Sequence, residues 1–217
     1  AVCSGPFRGF PASGTGDIIP VVLLLDSTPE NPSKIEVWHS DMTFRQHPPS
    51  VTVLKGITIP KVGGDTLFAS MTAAYEGLSD GMKRYLEPLV AVHDFSQGFK
   101  ESIAEPGGRE RLADALANNP PVRHNVIQTH PETGKKVIFV NALFTSHIEG
   151  VSALESTEIL SFLYKHAVLP EYTCRFNWAV DSLVLWDNRS TQHKPVNDFL
   201  PAHRALHRVV SEGDRPY

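Results

Sequence analysis

The segment Trp38-His39-Ser40-Asp41 carries the residue types of this chain that are best suited to metal chemistry. In an extended segment, side chains at positions i and i+2 project to the same face, about 7 Å apart at their backbones. His39 and Asp41 could therefore converge on one cation, with a distant histidine as the third ligand. Two imidazoles and one carboxylate leave three coordination positions open, as non-haem Fe(II) oxygenases require for a bidentate cosubstrate and oxygen.

The same spacing occurs twice more, so spacing alone does not select the metal site. His130 and Glu132 flank a turn, and His147 and Glu149 lie just before the start of a helix. We interpret both of these pairs as solvated or structural. A third ligand elsewhere in the chain is needed to favour one pair over the others.

The C-terminal region supplies such a histidine, together with two arginines. Residues 186–193 predict a buried strand that ends in a polar turn and brings His193 to the mouth of a barrel. Arg204 and Arg208 would share one face of the next strand, pointing inward and about 13 Å apart at their backbones. Because buried guanidiniums are costly unless they meet anions, this pair predicts two anionic partners. The alternative is a pair of surface or internally salt-bridged arginines.

The elements that must position these residues are mostly strands. Eight segments have apolar patterns typical of strands, at residues 19–25, 50–54, 66–69, 126–129, 137–141, 175–180, 183–186 and 204–210. Turn residues at 131–135 predict a hairpin, and Ser152 with Glu155 predicts a capping box that opens a helix. Shorter helices are predicted at 71–78, after Ser79 and at 109–117. This pattern predicts a mainly β fold with flanking helices and a jelly-roll (double-stranded β-helix) core.

Length and composition narrow the class of protein. The 217 residues predict a single domain over 1–217, and the absence of an initiator Met indicates a trimmed start. Residues 96–121 are poor in large apolar side chains and are interpreted as a lid or insertion. Cys3 and Cys174 are too few for a disulfide framework, which favours the reducing cytoplasm. A net charge of −4 with scattered basic residues disfavours nucleic acid as a partner, and the apolar runs are too short to span a bilayer.

Several motifs resemble the taurine dioxygenase family of Fe(II)- and 2-oxoglutarate-dependent enzymes, a family that also holds alkylsulfate and aryloxyalkanoate dioxygenases. They occur in the family's order from about Ile18 to Tyr217. These motifs are Trp-His-Ser-Asp at 38–41, Gly-Gly-Asp-Thr at 63–66, His-Asp-Phe at 93–95, Phe-Val-Asn at 139–141, Trp-Asp-Asn-Arg with Thr-Gln-His at 186–193, and His-Arg at 207–208. Several motifs in the right order are much more specific than any one of them.

The resemblance implies roles for the residues of the reaction centre. His39, Asp41 and His193 would be the catalytic iron ligands. Thr66 and Arg204 would bind the distal carboxylate of 2-oxoglutarate, and O2 would be the second cosubstrate. The implied reaction is hydroxylation of a small anionic organic substrate, with succinate and CO2 as coproducts.

The resemblance also implies how the substrate is held. Arg208 would meet the substrate's anionic group, and Phe99 and Phe144 would form aromatic walls of the pocket. Taurine-using relatives have an Asn at the position of Ile35, and a His and a Tyr upstream of the metal motif, which are absent before Asp17. An apolar residue cannot hydrogen-bond an ammonium group, so we expect another organosulfonate or an alkyl sulfate. The products would be an aldehyde and sulfite or sulfate.

Other classes of protein remain open at this point. An aryloxyalkanoate-type dioxygenase would use the same iron ligands on a different anion. A redox-silent jelly-roll protein could use the two arginines to bind an anion, and a zinc hydrolase could use the two histidines and the carboxylate. Relatives commonly self-associate, so a monomer and a homo-oligomer both stay open for this chain.

Overall fold

The computed structural model describes residues 22–216, in which most regular elements are strands. The strands are β1 Leu23–Ser27, β2 Val51–Thr58, β3 Thr66–Ser70, β4 Val90–His93, β5 Val122–Asn125, β6 Ile127–Thr129, β7 Lys136–Ile138, β8 Thr145–Ile148, β9 Thr173–Phe176, β10 Leu183–Asp187, β11 Thr191–Pro195 and β12 Arg204–Val210. The helices are α1 Met71–Glu76, α2 Asp80–Leu86, α3 Phe95–Gly98, α4 Lys100–Ala104, α5 Gly108–Arg111, α6 Ala113–Asn118 and α7 Ala153–His166. The described part of the chain is mainly β, as predicted.

Two antiparallel sheets enclose the space that holds the predicted site. One sheet has the strand order β1-β12-β2-β10, and the other has the order β11-β3-β9. Apolar side chains from both sheets form one buried cluster, which consists of Leu54, Phe68, Trp178, Trp186 and Leu206. Because side chains alternate between the two faces of a strand, every second residue of these strands points toward this cluster and the site beside it.

The remaining strands and the longest helix form a second, larger core. Its sheets have the orders β5-β4-β8 and β6-β7. Helix α7 begins at the predicted capping box, in which Ser152 and Glu155 bond to each other's backbone N–H groups. The helix buries Leu160 and Leu163 against this core. None of the helices between residues 22 and 216 is long and apolar enough to cross a membrane.

Most predicted elements are confirmed. Each predicted strand overlaps an observed one, although residues 19–21 of the first lie outside the described residues. The predicted hairpin joins β6 to β7, and the His130 N–H donates to the Lys135 carbonyl across its turn at 2.8 Å. Helices α1 and α2 lie where the sequence places them, and Ser79 caps α2.

Other elements differ from the sequence-based expectation. Strands β4, β5 and β8 are not predicted, and the helix expected over 109–117 is split into α5 and α6 at Leu112, whose φ and ψ of −101° and 8° are not helical. The polar turn after β10 is present, but His193 does not end it. His193 lies within a further strand, β11, which pairs with β3. The sequence Thr-Gln-His-Lys-Pro lacks apolar alternation, so only pairing with a distant strand makes it extended.

Candidate metal centre

The two predicted histidine ligands face each other across an isolated β-bridge. The His39 N–H donates to the His193 carbonyl at 3.0 Å, and the His193 N–H donates to the His39 carbonyl at 2.8 Å. The bridge places the ring centroids 4.2 Å apart. His39 uses Nδ1 to donate to the Val37 carbonyl at 2.9 Å, which leaves Nε2 as a lone-pair donor toward a metal.

Asp41 completes the predicted set of ligands. Its Oδ1 lies 3.9 Å from His39 Nε2 and 4.0 Å from His193 Nε2. One ligand atom from each of the three residues lies within 4.8 Å of the other two, and all three residues are buried. The structure therefore brings the two imidazoles and the carboxylate together, in an arrangement that fits one metal ion.

Asn188 holds the backbone of the turn that carries Asp41. Its side-chain oxygen accepts from the Asp41 N–H at 2.7 Å, and its amide nitrogen donates to the Asp41 and Pro49 carbonyls at 3.0 Å each. Asn188 is fully buried. Since Met42, the next residue, has an unusual positive φ of 52°, these bonds fix a turn that the backbone would not otherwise favour.

Two further buried histidines form hydrogen bonds to the same turn at Thr43 and Arg45. His93 on β4 shares a hydrogen bond with Thr43 Oγ1 at 2.9 Å, and Asn141 donates to the same oxygen at 2.9 Å. His124 on β5 donates to the carbonyls of Thr43 and Arg45, at 2.9 and 3.0 Å. The motifs around 93–95 and 139–141 therefore support the turn that carries Asp41.

The protonation states at the centre suit a metal ligand set. Burial lowers the pKa of His39, and burial together with the charge of His39 lowers the pKa of His193 to about 3. Burial alone would raise the pKa of Asp41, but Arg208, the two histidines and the Thr52 hydroxyl outweigh it and hold that pKa well below its ordinary value. At neutral pH the centre contains two neutral imidazoles and one carboxylate, so little deprotonation is required for metal binding.

These burial effects predict that the metal-free protein loses stability in acid. His39, His93, His124 and His193 all have lowered pKa values in the folded chain, because burial penalises the charged imidazole. Below about pH 6.5 the unfolded chain binds more protons than the folded one, so stability rises with pH in this window and falls on acidification. Each histidine contributes a slope of at most about 1.4 kcal/mol per pH unit. Urea unfolding with chelator between pH 5 and 7 measures the slope.

Two variants separate this effect from general acid denaturation. His93→Gln removes one buried imidazole that is not among the three candidate metal ligands. It should lower the slope by up to about 1.4 kcal/mol per pH unit, which corresponds to one proton. His147→Gln makes the same change at an exposed histidine and serves as the control. A free energy of unfolding that is constant from pH 5 to 7 would contradict the prediction.

Thr66 and Arg204 lie together at one end of the space between the sheets. The Arg204 Nη2 approaches Thr66 Oγ1 at 3.5 Å, and the Trp178 indole donates to the same oxygen at 3.0 Å. Burial lowers the pKa of Arg204 to about 10, although Asp65 raises it in part. The guanidinium lies 5.9 Å from the Trp178 ring and 5.8 Å from the Phe199 ring. This buried cation has no ion pair with a carboxylate among residues 22–216, which suits the binding of an external anion.

Gly64 of the Gly-Gly-Asp-Thr motif makes room for Arg204. Gly64 has a φ of 75°, and a Cβ atom at that position would lie 3.0 Å from Arg204 Cδ. A larger residue would therefore meet both backbone strain and the arginine side chain. The motif supports the cation at this end of the site.

Arg208 lies at the metal end of the same strand. Its Nη2 is 2.8 Å from Asp41 Oδ2, so the two charges are in contact. The same nitrogen is nevertheless without a well-directed hydrogen bond in the described structure. Arg208 therefore pairs with Asp41 by charge and still has N–H donors available for another hydrogen bond.

Buried nitrogen atoms without hydrogen-bond partners gather around this centre. In the part of the chain that the structure describes, they include Trp186 Nε1, His193 Nδ1, Arg204 Nε and Arg208 Nη2. Buried polar groups in folded proteins are rarely left in this state. The unpartnered nitrogens of Arg204 and Arg208 leave both guanidiniums with donors available to an anion.

Phe99 and Phe144 lie in an aromatic cluster beside the turn that carries Asp41. Phe144 packs edge-on against Phe44 at 4.9 Å between centroids, and Phe99 stacks on Phe95 at 4.1 Å. Met42, next to Asp41 in the chain, contacts this cluster. The position agrees with walls of a pocket, and it agrees equally with ordinary core packing, so their role as substrate contacts stays a prediction.

The two rival pairs have structural partners. His130 donates from Nε2 to Asp187 at 2.9 Å, and its Nδ1 accepts from the backbone of Glu132. His147 is exposed, and Glu149 pairs with Arg123 at 2.8 Å. Neither pair belongs to a group of potential metal ligands within residues 22–216.

The sequence reasoning assigned no role to Thr52 or Asn188, which contact Asp41 directly. Asn188 belongs to the Trp-Asp-Asn-Arg motif, so its presence in that motif was a usable signal. Thr52 occupies an inward position of β2, and its Oγ1 donates to Asp41 Oδ2 at 2.7 Å. A threonine in an apolar strand gives no sign of such a contact, because threonine favours strands for other reasons.

Mononuclear non-haem iron oxygenases bind their metal through two imidazoles and one carboxylate, which leave the positions on the other side of the metal open. A family model described as "Taurine catabolism dioxygenase TauD, TfdA family" matches residues 5–210. The chain belongs to this family, whose members depend on Fe(II) and 2-oxoglutarate.

Individual relatives agree with this family. An alkylsulfatase of Acinetobacter baylyi is 37% identical over 180 residues, which cover 82% of this chain and 56% of the relative. An alpha-ketoglutarate-dependent 2,4-dichlorophenoxyacetate dioxygenase of Burkholderia sp. is 35% identical over 180 residues, covering 83% and 59%. The crystal structure of a taurine dioxygenase from Burkholderia xenovorans superposes with a TM-score of 0.75 at 32% identity, covering 90% of this chain and 65% of that one. The chain thus spans less than two thirds of the length of each of these relatives.

Proposed function

We propose that this chain is the catalytic unit of an Fe(II)- and 2-oxoglutarate-dependent dioxygenase that hydroxylates a small organosulfonate or alkyl sulfate. The observation that carries the proposal is the convergence of His39, Asp41 and His193, together with Arg204, a buried arginine that has no carboxylate partner among residues 22–216. The relatives named for alkyl sulfates and taurine support the substrate class.

The spacing between His193 and Thr66 suits 2-oxoglutarate. Phe68 on β3 is the cross-strand partner of His193, and Thr66 lies two residues from Phe68 on the same face. Diagonal neighbours of this kind are about 7–8 Å apart, which is close to the length of a five-carbon dicarboxylate. The C1 carboxylate and keto oxygen would reach the metal while the far carboxylate meets Arg204.

Thr66 is suited to assist at this far end. Both of its contacts, from Trp178 and Arg204, use its oxygen as an acceptor. Its hydroxyl proton therefore remains available to donate to a carboxylate. Together, the planar guanidinium and the hydroxyl would fix the cosubstrate in one orientation.

Bound Fe(II), with 2-oxoglutarate and O2, supplies the oxidant that hydroxylates a C–H bond, and succinate and CO2 are released. In our proposal, Arg208 orients the sulfonate or sulfate of the substrate, and Phe99 and Phe144 contact its apolar part. If the carbon bonded to the sulfonate sulfur or the sulfate ester oxygen is hydroxylated, the product collapses to an aldehyde plus sulfite or sulfate. Ile35, in place of an asparagine, disfavours taurine itself.

We further propose that the two facing sheets form the jelly-roll core of a single domain. Residues 96–121 form helices α3 to α6, and Phe99, Ala115 and Leu116 pack on the aromatic cluster beside the centre. This packing supports the interpretation of the segment as a lid, which stays a prediction. Cytoplasmic location and self-association likewise stay predictions.

A substrate panel tests the function. The protein, with Fe(II), ascorbate and 2-oxoglutarate, is offered alkyl sulfates, organosulfonates and aryloxyacetates, and succinate, sulfate, sulfite and phenol are measured. Sulfate or sulfite release matched to succinate supports the proposal. Phenol release would favour the aryloxyalkanoate alternative. The relative named as a 2,4-dichlorophenoxyacetate dioxygenase supports that alternative. No succinate with any anion, or turnover independent of iron and oxygen, would favour the anion-binding protein or the zinc hydrolase.

Replacing Arg208 with glutamine tests the proposed substrate contact. We expect KM for the preferred anion to rise about 30-fold or more, because a buried charge pair is worth roughly 2–5 kcal/mol. Substrate-independent 2-oxoglutarate consumption should stay within about threefold, since Arg204 and the metal ligands are unchanged. Steady-state assays of both reactions measure the difference.

Because Arg208 also contacts Asp41, the affinity for Mn²⁺ is measured in the same variant. Arg123→Gln is the control, since Arg123 is exposed and pairs with Glu149 at the surface. An unchanged KM for the anion in Arg208→Gln would show that another group binds the substrate's charge.

A further inference from the structure

The two oxygens of the Asp41 carboxylate have different surroundings. Oδ1 faces the two imidazoles, at 3.9 Å from His39 Nε2 and 4.0 Å from His193 Nε2. Oδ2 faces away, toward the Thr52 hydroxyl at 2.7 Å and Arg208 Nη2 at 2.8 Å. Only Oδ1 is therefore directed at the position where a metal would lie.

Thr52 is placed to hold Oδ2 firmly. It is completely buried near the start of β2, directly opposite Trp186 on β10 and Val210 on β12. A β-branched side chain on a central strand has few rotamers, so the direction of its hydroxyl oxygen is set by the sheet. Because an ionised carboxylate only accepts, the hydroxyl must donate, and a bond to a charged acceptor is among the stronger hydrogen bonds.

The other neighbour of Oδ2 is less suited to this task. Arg208 Nη2 lies close to the carboxylate but has no well-directed hydrogen bond within the described residues. In the proposed function, Arg208 also turns toward the anion of the substrate. Thr52 is then the partner that Oδ2 keeps through the whole cycle.

We propose that Thr52 is a positioning residue that holds Asp41 as a ligand through one oxygen. This inference rests on the proposed function. If Oδ2 were free, the carboxylate could rotate and bind the metal through both oxygens. The second oxygen would occupy one of the three positions that the cosubstrate and oxygen need.

Binding of Mn²⁺ to the metal-free protein tests this inference without any turnover. Thr52→Val keeps the shape of the side chain and removes the hydroxyl, and we expect the affinity for Mn²⁺ to fall about 10–100-fold, as for other groups that orient a metal ligand. Thr52→Ser restores the hydroxyl and should bring the affinity to within about threefold of wild type. Thr58→Val, the same change on the same strand but away from Asp41, should bind as wild type does. Calorimetry measures the affinity from the heat of binding, and electron paramagnetic resonance measures it from the signal of free Mn²⁺.

The outcomes separate the possible explanations. Equal Mn²⁺ affinity in wild type and Thr52→Val would overturn the inference, and so would a serine variant as weak as the valine variant, since packing would then be the cause. If Thr52→Val does not fold, Thr52→Ala is read in the same way. Wild-type protein that binds Mn²⁺ but forms no succinate with Fe(II) removes the proposed function and leaves the role of Thr52 intact. Wild-type protein that binds no Mn²⁺ overturns both.

Discussion

Replacing His193 with alanine is expected to abolish succinate formation and to weaken Mn²⁺ or Fe(II) binding by at least about 100-fold. Loss of a group that only orients a metal ligand already weakens metal binding by about 10–100-fold, so loss of a ligand itself should weaken it more. His193 is one of three protein ligands in the proposed centre, and it comes from a strand about 150 positions after His39. Metal-binding calorimetry and a succinate assay measure the two effects. Loss of both together would establish that the C-terminal histidine belongs to the same centre as the N-terminal pair.

His130→Ala provides the matched control. His130 is as buried as His193 and also contacts a carboxylate, that of Asp187. Both alanine variants lose a buried imidazole, so both lose packing and a similar share of stability, but only His193→Ala should lose the metal. If His193→Ala retained wild-type affinity for Mn²⁺, the donor set would be wrong and the oxygenase proposal with it.

The convergence of His39, Asp41 and His193 could be predicted from the sequence because it depends on local geometry and on a specific motif. An i, i+2 spacing puts His39 and Asp41 on one side of an extended segment in almost any fold. The spacing could not by itself distinguish this pair from the one at His130, since burial and partners decide which carboxylates remain free. The third candidate ligand, His193, was indicated by the strand-and-turn pattern of residues 186–193 and by the resemblance to the family, and not by any rule about spacing.

The residues that hold Asp41 could not be predicted in the same way. Thr52 and Asn188 reach the carboxylate and its backbone through pairing of β2 with β10 and through the turn after β10. Those contacts depend on the register of strands far apart in the sequence, which local patterns do not encode. The contact of Arg208 with Asp41 was missed for the same reason, although its inward direction was predicted.

The elements show a similar division. Long apolar or amphipathic segments, such as β2 and α7, have patterns that survive in any tertiary context. Strand β11 is short and polar, and it is extended only because β3 lies on one side and His39 on the other. Strand β11, which carries the candidate ligand His193, is therefore one that local pattern could not reveal, since its residue types suit the site better than they suit a strand.

The second large effect is expected at Arg204, where function and stability should change in opposite directions. Arg204→Met is expected to weaken 2-oxoglutarate binding to the Mn²⁺-loaded protein by roughly 30-fold or more, because truncating one partner of a buried charge pair costs about 2–5 kcal/mol. The same variant should keep or raise the free energy of unfolding of the ligand-free protein. The guanidinium is buried without a carboxylate partner in the described structure, so an apolar side chain of similar length removes a desolvation cost.

Three comparisons make this prediction specific. Arg204→Lys keeps the charge but loses the planar fork, and an intermediate affinity for 2-oxoglutarate is expected. Arg175→Met removes a half-exposed arginine that pairs with Asp65, and it should leave that affinity within about threefold. Calorimetry with 2-oxoglutarate and urea unfolding without it measure the two quantities on the same samples. Loss of stability together with unchanged 2-oxoglutarate affinity in Arg204→Met would mean that Arg204 serves the fold, and that the cosubstrate binds elsewhere. The opposite pattern is expected because a cation kept for an external anion stabilises the complex at the expense of the free protein.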